Sequence, residues 1–223
     1  MTIIFFYIAL FLLPSIILFF LFKGTAKKHG SIKDGIKKIY GNEEENEKHF
    51  IKCVKKNINF INFITGEASL NIFTKNVVDE LKKTKKTTEA IAGPVIMVDD
   101  DRVAYLVEAV KEGKIKLYRS DNRHKIHFRV GEHHLYIEWP HMPLASERKF
   151  TEVEEIPFEI KRYQKLFNTF KNKAKLSENV EKDFIFLNGE DLKKSKYGED
   201  ENFNIDTFKE KLKEMKIPYH YSK

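Results

Sequence analysis

The sequence predicts an α/β fold, a sandwich in which a mainly parallel β-sheet with an antiparallel hairpin is flanked by helices. Three observations predict it. From about residue 46 onward, short β-branched and aromatic segments alternate with segments of helical periodicity. The order strand, helix, strand, helix, strand is typical of parallel pairing. Two segments of alternating polar and apolar residues flank Gly131, as in a hairpin.

The chain begins with an apolar run, Met1 to Phe22, which contains no charged side chain and ends at Lys23. A helix that spans a bilayer needs about 20 apolar residues, and a membrane helix tolerates a proline such as Pro14 with a kink. A cleaved signal peptide is the alternative, and it would have basic residues before a shorter apolar core and a small-residue cleavage site. We expect a retained transmembrane anchor at residues 1–22.

Charge and cysteine content suggest where the rest of the chain lies. Lys23, Lys27 and Lys28 follow the apolar run, and cytoplasmic flanks collect such residues. The single cysteine, Cys53, cannot form an intramolecular disulfide, which agrees with a reducing compartment. The sequence therefore predicts a single-pass membrane protein with a cytoplasmic carboxyl-terminal domain. Its net charge of +7 favours anionic lipid headgroups or nucleic acid as partners, or serves solubility alone.

The sequence divides after the anchor into three parts: a charged linker at 23–45, an α/β domain at 46–176, and an extension at 177–223. The domain opens with a helix at 46–56 and a buried strand at 58–64. A second helix follows, and Thr74 is placed to cap it.

The next segment, 89–98, reads as a strand that Gly93-Pro94 interrupts. Asp99-Asp100-Asp101 then precedes a helix that ends at Gly113, and a strand at 115–118 follows. Three adjacent aspartates raise the possibility of a metal site, but they are also typical of a helix start, where they cap free N–H groups. We favour the cap.

The hairpin can be given a register from its binary pattern. Two apolar sets, one on each strand, must share the core face. Their pairing places Val130 opposite Leu135 and Phe128 opposite Ile137. It therefore places His127 opposite Glu138 and Arg129 opposite Tyr136 on the other, polar face. His134 belongs to the same polar set.

The remaining elements follow the hairpin. An amphipathic helix is predicted at 158–175, with one apolar stripe made of Phe158, Tyr163, Leu166, Phe167, Phe170 and Ala174. The extension contains a short strand at 184–187 and a helix near 205–216.

The polar face of the hairpin has side chains suited to a phosphate site. A guanidinium grips phosphate oxygens, an imidazole attacks phosphorus or transfers a proton, and a carboxylate orients the imidazole. The candidate catalytic residues are His127, Arg129, Glu138 and His141, and the candidate phosphate-binding residues are Arg129, His134 and Tyr136. The alternative is a solvated hairpin face whose polar residues merely alternate. No set of His, Cys and Asp keeps a recognised metal-ligand spacing, so neither a metal nor another cofactor is expected.

Residues 46–175 resemble one phospholipase D-like domain in the order of their elements. The segment HKIHFRVGEHHLYIEWPH is similar to that family's H-x-K-x4-D motif, with His127 as the family histidine. Arg129 stands where the family has lysine, and His134 stands where it has aspartate. The family joins two such motifs across a pseudo-twofold axis, one histidine acting as nucleophile and the other as proton donor. With one motif, this chain resembles members that form homodimers.

Three functions follow from these observations. The first is a membrane-anchored, catalytically impaired phospholipase D-like domain that binds phosphate-bearing partners, either anionic lipid or nucleic acid. The second is an active phosphodiesterase, built as a homodimer with His127 as the nucleophile. The third is a membrane-tethered scaffold without enzymatic activity.

Overall fold

The computed structural model describes residues 36–41, 43–66, 74–97, 102–124, 126–138, 148–197 and 203–219. The predicted anchor, the aspartates at 99–101 and His141 lie outside these residues. Among the described residues, no helix has the length and apolar character needed to cross a bilayer.

Ten strands and seven helices are described. The strands are β1 (Ile36–Gly41), β2 (Asn62–Thr65), β3 (Thr88–Ala92), β4 (Val95–Met97), β5 (Ile115–Arg119), β6 (His127–Val130), β7 (His134–Glu138), β8 (Arg148–Glu154), β9 (Lys175–Leu176) and β10 (Ile185–Leu187). The helices are α1 (Glu43–Lys56), α2 (Lys75–Leu81), α3 (Arg102–Lys111), α4 (Pro157–Lys171), α5 (Val180–Asp183), α6 (Gly189–Lys194) and α7 (Ile205–Glu214).

Eight strands form one mixed sheet in the order β1-β8-β7-β6-β2-β3-β5-β9. Its centre is parallel, since β3 pairs in parallel with both β2 and β5. Antiparallel strands extend it on both sides: β6, β7 and β8 beyond β2, and β9 beyond β5. The predicted α/β fold is confirmed, and the predicted parallel pairing is found at the centre of this sheet, whereas its antiparallel part is larger than the single hairpin that the sequence predicted.

Two apolar cores lie on opposite faces of this sheet, because successive strand residues point to opposite sides. Phe63 belongs to the core with α1, α2 and α3, whereas its neighbour Ile64 belongs to the core with α4. The helix start at Thr74 is as predicted, since its hydroxyl accepts a hydrogen bond from the N–H of Val77. The flanking helices therefore complete the expected sandwich.

The register predicted for the hairpin is confirmed. In the β6–β7 pair, His127 lies opposite Glu138, Phe128 opposite Ile137, Arg129 opposite Tyr136, and Val130 opposite Leu135. Phe128, Val130 and Leu135 pack in the α4 core.

The Gly93-Pro94 interruption moves the chain between sheets. β3 lies in the large sheet, whereas β4 pairs in parallel with β10 in a separate two-stranded sheet.

The extension contains the strand and the last helix that the sequence predicted, which are β10 and α7. Their buried side chains, such as Phe186 and Leu212, share the core of α1 to α3, so no gap in packing separates the extension from the domain.

Two sequence expectations differ from the fold. Part of the predicted linker is structured, because residues 36–41 form β1 beside β8 and α1 begins at Glu43. Phe158 does not belong to the apolar stripe of α4 and is 76% exposed. It precedes the buried Phe167 by nine residues, which is a rotation of about 180° around a helix. Ile160 takes its place in the core.

Candidate functional site

The polar face of the hairpin is buried rather than solvated. His127, Arg129, His134, Tyr136 and Glu138 are all buried. One side of helix α1 covers this face. Its contacts with the polar side chains come from Asn46, His49, Phe50 and Cys53. The polar side chains therefore lie between the sheet and α1, where each charge requires a partner.

His127 and Glu138 form one part of this layer. The Nδ1 atom of His127 lies 3.5 Å from a carboxylate oxygen of Glu138. Gly66, just after β2, lets the imidazole approach the backbone, because a Cβ atom there would lie 2.6 Å from its Nε2 atom. A carboxylate beside an imidazole can orient the ring, although 3.5 Å is longer than an ordinary N–H···O hydrogen bond.

Arg129 lies beside them, with its guanidinium turned toward α1. It donates a hydrogen bond of 2.9 Å to the side-chain oxygen of Asn46. Its Cζ atom lies 4.0 Å from the ring centre of Phe50 and 5.3 Å from that of Tyr136. The cation is therefore held by an amide and two aromatic faces inside the protein.

These groups line a small cavity. His127, Arg129, Tyr136 and Glu138 border it together with apolar side chains, and its volume is about 10 Å³. That is roughly the space that a single water molecule needs. The structure thus brings together four of the six predicted site residues. Burial raises the pKa of the Tyr136 hydroxyl, so this group is a neutral phenol near pH 7.

His134 belongs to a different cluster further along the same face. Its Nε2 atom lies 2.6 Å from Oε1 of Glu152, and its Nδ1 atom lies 3.2 Å from the sulfur of Cys53. A carboxylate only accepts hydrogen bonds, so Nε2 carries the proton and Nδ1 accepts from the Cys53 thiol. Burial lowers the pKa of His134, although Glu152 opposes this change.

Cys53 contacts His134, and His134 contacts Glu152, an order that resembles a nucleophile, a base and an orienting acid. Cys53 is fully buried, and burial raises the pKa of its thiol to about 12. A thiol that stays protonated at neutral pH and has no access to solvent is a poor nucleophile. The cluster therefore reads as a structural hydrogen-bond chain between α1 and the sheet.

The fold also assembles His134, Glu152 and Glu154 closely enough to surround a metal ion, which the sequence spacing did not suggest. Lys52 pairs with Glu152 at 3.1 Å, and Lys56 pairs with Glu154. Because these ammonium groups already neutralise both carboxylates, the cluster gives no reason to place a cation there.

Sequence reasoning missed the glutamates of β8 and the imidazole of His124. Glu152 and Glu154 alternate with Thr151 and Val153, a pattern of period two that could have indicated the strand. His124 is buried against the ring of Phe170, with ring centres 5.1 Å apart. Burial lowers the pKa of His124 to about 4.

This chain is similar to known proteins in its structure but not in its sequence. No protein-family model matches the sequence, and no curated protein matches it either. Nuc from Salmonella typhimurium, a phospholipase D family member, superposes with a TM-score of 0.51 at 10% identity, over 64% of this chain and 98% of Nuc. NucT from Helicobacter pylori gives 0.48 at 5% identity, over 64% of this chain and 99% of NucT. TrmBL2, an archaeal chromatin protein, gives 0.47 at 10% identity, over 74% of this chain and 65% of TrmBL2.

The fold is phospholipase D-like. Nuc supports this fold, because its TM-score is above one half and the match covers almost its whole length. It agrees with the resemblance that the sequence suggested. At 10% identity the likeness concerns the fold and not the chemistry of the site.

Proposed function

We propose that this protein is a membrane-anchored phospholipase D-like domain that is impaired in hydrolysis and binds phosphate-bearing partners at the cytoplasmic face of the membrane. The phospholipase D-like fold and the net charge of +7 support a phosphate-bearing partner. The apolar run at 1–22 supports the anchor.

The observation that carries the impairment is the engagement of Arg129. In the sequence resemblance Arg129 stands where the family motif has lysine, yet its guanidinium donates to Asn46 and packs on Phe50. To reach a phosphate, it would have to leave an internal hydrogen bond and an aromatic contact. Such a buried charge is costly to move, because the groups that it leaves lose their partner.

The cavity supports the same proposal. Among the described residues, the cavity beside His127 and Glu138 measures about 10 Å³, the space of a water molecule, so a phosphodiester would enter it only if neighbouring side chains moved. We expect binding of phosphate-bearing partners to use basic side chains at the surface rather than this layer.

An active phosphodiesterase is the second candidate, and the pair of His127 and Glu138 favours it. An imidazole 3.5 Å from a carboxylate is arranged as a nucleophile with its orienting group. This function needs a second motif, which a homodimer would supply. It also needs α1 to shift, so that the Arg129 guanidinium and the His127 imidazole reach a substrate.

The test is phosphodiesterase activity of the purified full chain on bis(p-nitrophenyl) phosphate without added metal. We expect no turnover above that of the His127→Ala variant. His133→Ala is the matched control, because His133 lies in the same hairpin with its side chain exposed. Turnover that His127→Ala abolishes and His133→Ala preserves would replace the proposal by the second candidate.

A further inference from the structure

Helix α4 has an outward surface made of Phe158, Lys161, Arg162 and Lys165, which we call the basic face. These positions are spaced by three, four and seven residues, so they lie on one side of the helix. All four side chains are exposed. Glu159, at 29% exposure, lies beside Arg162 at 3.5 Å, and it is the one acidic residue described within α4.

Phe158 is the unusual member of this face. Five large apolar side chains are exposed among the described residues, and the other four, Ile36, Ile58, Leu176 and Met215, are between 37% and 45% exposed. Phe158, at 76%, is far more exposed than any of these four. A single exposed apolar residue is ordinary. Phe158, however, lies beside three cations on one helix face, so that this face combines an apolar side chain with positive charge.

We propose that the basic face of α4 docks on the surface of an anionic lipid bilayer, with Phe158 inserted among the headgroups and the cations paired with lipid phosphates. Interfacial helices combine cations on one part of their surface with aromatic or aliphatic anchors on another. Each cation near an anionic leaflet strengthens association by about fivefold at moderate salt. The face is thus complementary to a bilayer in both charge and polarity.

This inference deepens the proposed function, on which it rests for the nearness of a membrane. Residues 23–35 separate the predicted anchor from β1, and 13 residues span at most about 47 Å. A domain tied so closely meets the bilayer surface at high effective concentration. A bilayer suits Phe158 better than the phosphate backbone of a nucleic acid, which offers cations a partner but no apolar layer.

The experiment measures lysine acetylation by mass spectrometry, with the full chain added to vesicles of phosphatidylcholine or of phosphatidylcholine with phosphatidylserine. We expect the acetylation of Lys161 and Lys165 to fall several-fold on the anionic vesicles relative to the neutral ones. Lys111, Lys114 and Lys116 are exposed at the end of α3, in the turn that follows it and in β5, and they serve as internal controls whose acetylation stays unchanged. Equal acetylation of Lys161 and Lys165 on both vesicles would overturn the proposal.

Variants separate the two parts of the face. Replacing Lys161, Arg162 and Lys165 by Gln should weaken association driven by phosphatidylserine by about a hundredfold. The same change at Lys111, Lys114 and Lys116 alters net charge equally and should leave that association unchanged. Phe158→Ser should weaken association several-fold and leave its salt dependence intact. An equal loss in both triple variants would mean that net charge, and not this face, binds lipid.

Other outcomes distinguish this inference from the proposed function. Association with neutral vesicles depends on the anchor alone. If the full chain does not associate with neutral vesicles, that result counts against the proposed function, whereas the acetylation pattern on anionic vesicles still tests the basic face. Duplex DNA is the competing partner. Protection of Lys161 and Lys165 by DNA, without protection by anionic vesicles, would overturn the bilayer as the occupant of the face.

Discussion

The Nε2 atom of His134 lies 2.6 Å from a carboxylate oxygen of Glu152, and both side chains are buried between helix α1 and the sheet. Lys52 of α1 pairs with the same oxygen at 3.1 Å, and Cys53 of α1 contacts the other ring nitrogen of His134. The contact therefore joins α1, β7 and β8. It fixes the helix over the polar face of the hairpin, where His127 and Arg129 lie.

The first prediction concerns this contact. Glu152→Gln removes the charge that both His134 and Lys52 contact, and it leaves a buried polar group with a weaker partner. We expect the free energy of unfolding to fall by about 1–3 kcal/mol. Urea denaturation followed by circular dichroism measures the change.

Glu154→Gln is the matched control for that measurement. Glu154 lies two residues further along β8, is more exposed than Glu152, and pairs with Lys56, which is itself partly exposed. Such a pair contributes less than about 1 kcal/mol. Glu154 also lies 4.0 Å from Nε2 of His134, farther than the 2.6 Å of Glu152, so equal losses in the two variants would show that the shorter, buried contact adds nothing to stability.

The second prediction is a loss of stability on acidification. Burial lowers the pKa of His124 from its ordinary 6.5 to about 4. Between these values the unfolded chain binds a proton that the folded chain does not, so the free energy of unfolding falls as pH falls through this range and levels off below it. His124 alone corresponds to about 3 kcal/mol. The lowered pKa of His134, caused by burial, acts in the same direction below pH 6.5.

His124→Phe tests this pH dependence. The ring is kept against Phe170 while the titrating group is removed, so the decline from pH 7 to pH 4.5 should be about 2–3 kcal/mol smaller than in the natural chain. His133→Gln is the control, because the His133 side chain is 58% exposed. An unchanged decline in His124→Phe would mean that His124 titrates normally in the folded protein.

The hairpin shows how far the sequence determines the local structure. Two segments of period two, joined by three residues at Gly131, admit one register that brings Phe128 and Ile137 to the same face, and the structure has that register. The pattern does not say what covers the opposite face. Helix α1 is more than 70 residues away in sequence, and its contact through Asn46 and Cys53 arises only in the complete fold.

Two other elements depart from the burial that their sequence patterns predict. In β8 the residues that face α1 are Phe150, Glu152 and Glu154, so the buried side of the strand has a charged composition that is typical of an exposed side. In α4 the apolar Phe158 lies on the exposed side. A hydrophobic pattern fails to predict burial where partners inside the protein satisfy charged side chains, as in β8. It also fails where an apolar side chain lies on the surface, as Phe158 does.

The third prediction compares two phenylalanines. Phe128 is buried in the α4 core and meets the ring of Tyr163 edge to face, with ring centres 5.0 Å apart. Phe128→Ala should lower the free energy of unfolding by about 3–5 kcal/mol, since it leaves a cavity. Phe158→Ala should change it by less than about 0.5 kcal/mol, because its side chain is already in solvent.

Thermal unfolding of both variants measures this difference. A large loss in Phe158→Ala would show that Phe158 packs within the domain, and it would remove the basis for membrane docking through α4. A small loss in Phe128→Ala would contradict the observed face of β6.

The fourth prediction concerns Arg129, where stability and activity are expected to change in different ways. Arg129→Lys restores the H-x-K spacing with His127, but an ammonium cannot reproduce the planar stacking on Phe50 or the forked donors that reach Asn46. We expect the free energy of unfolding to fall by about 1–2 kcal/mol. Hydrolysis of bis(p-nitrophenyl) phosphate should not appear, because α1 still covers the site. Arg162→Lys, an exposed change of the same type, should leave both quantities unchanged. A stable Arg129→Lys variant that gains turnover dependent on His127 would mean that the arginine alone had kept an otherwise complete phosphodiesterase site inactive.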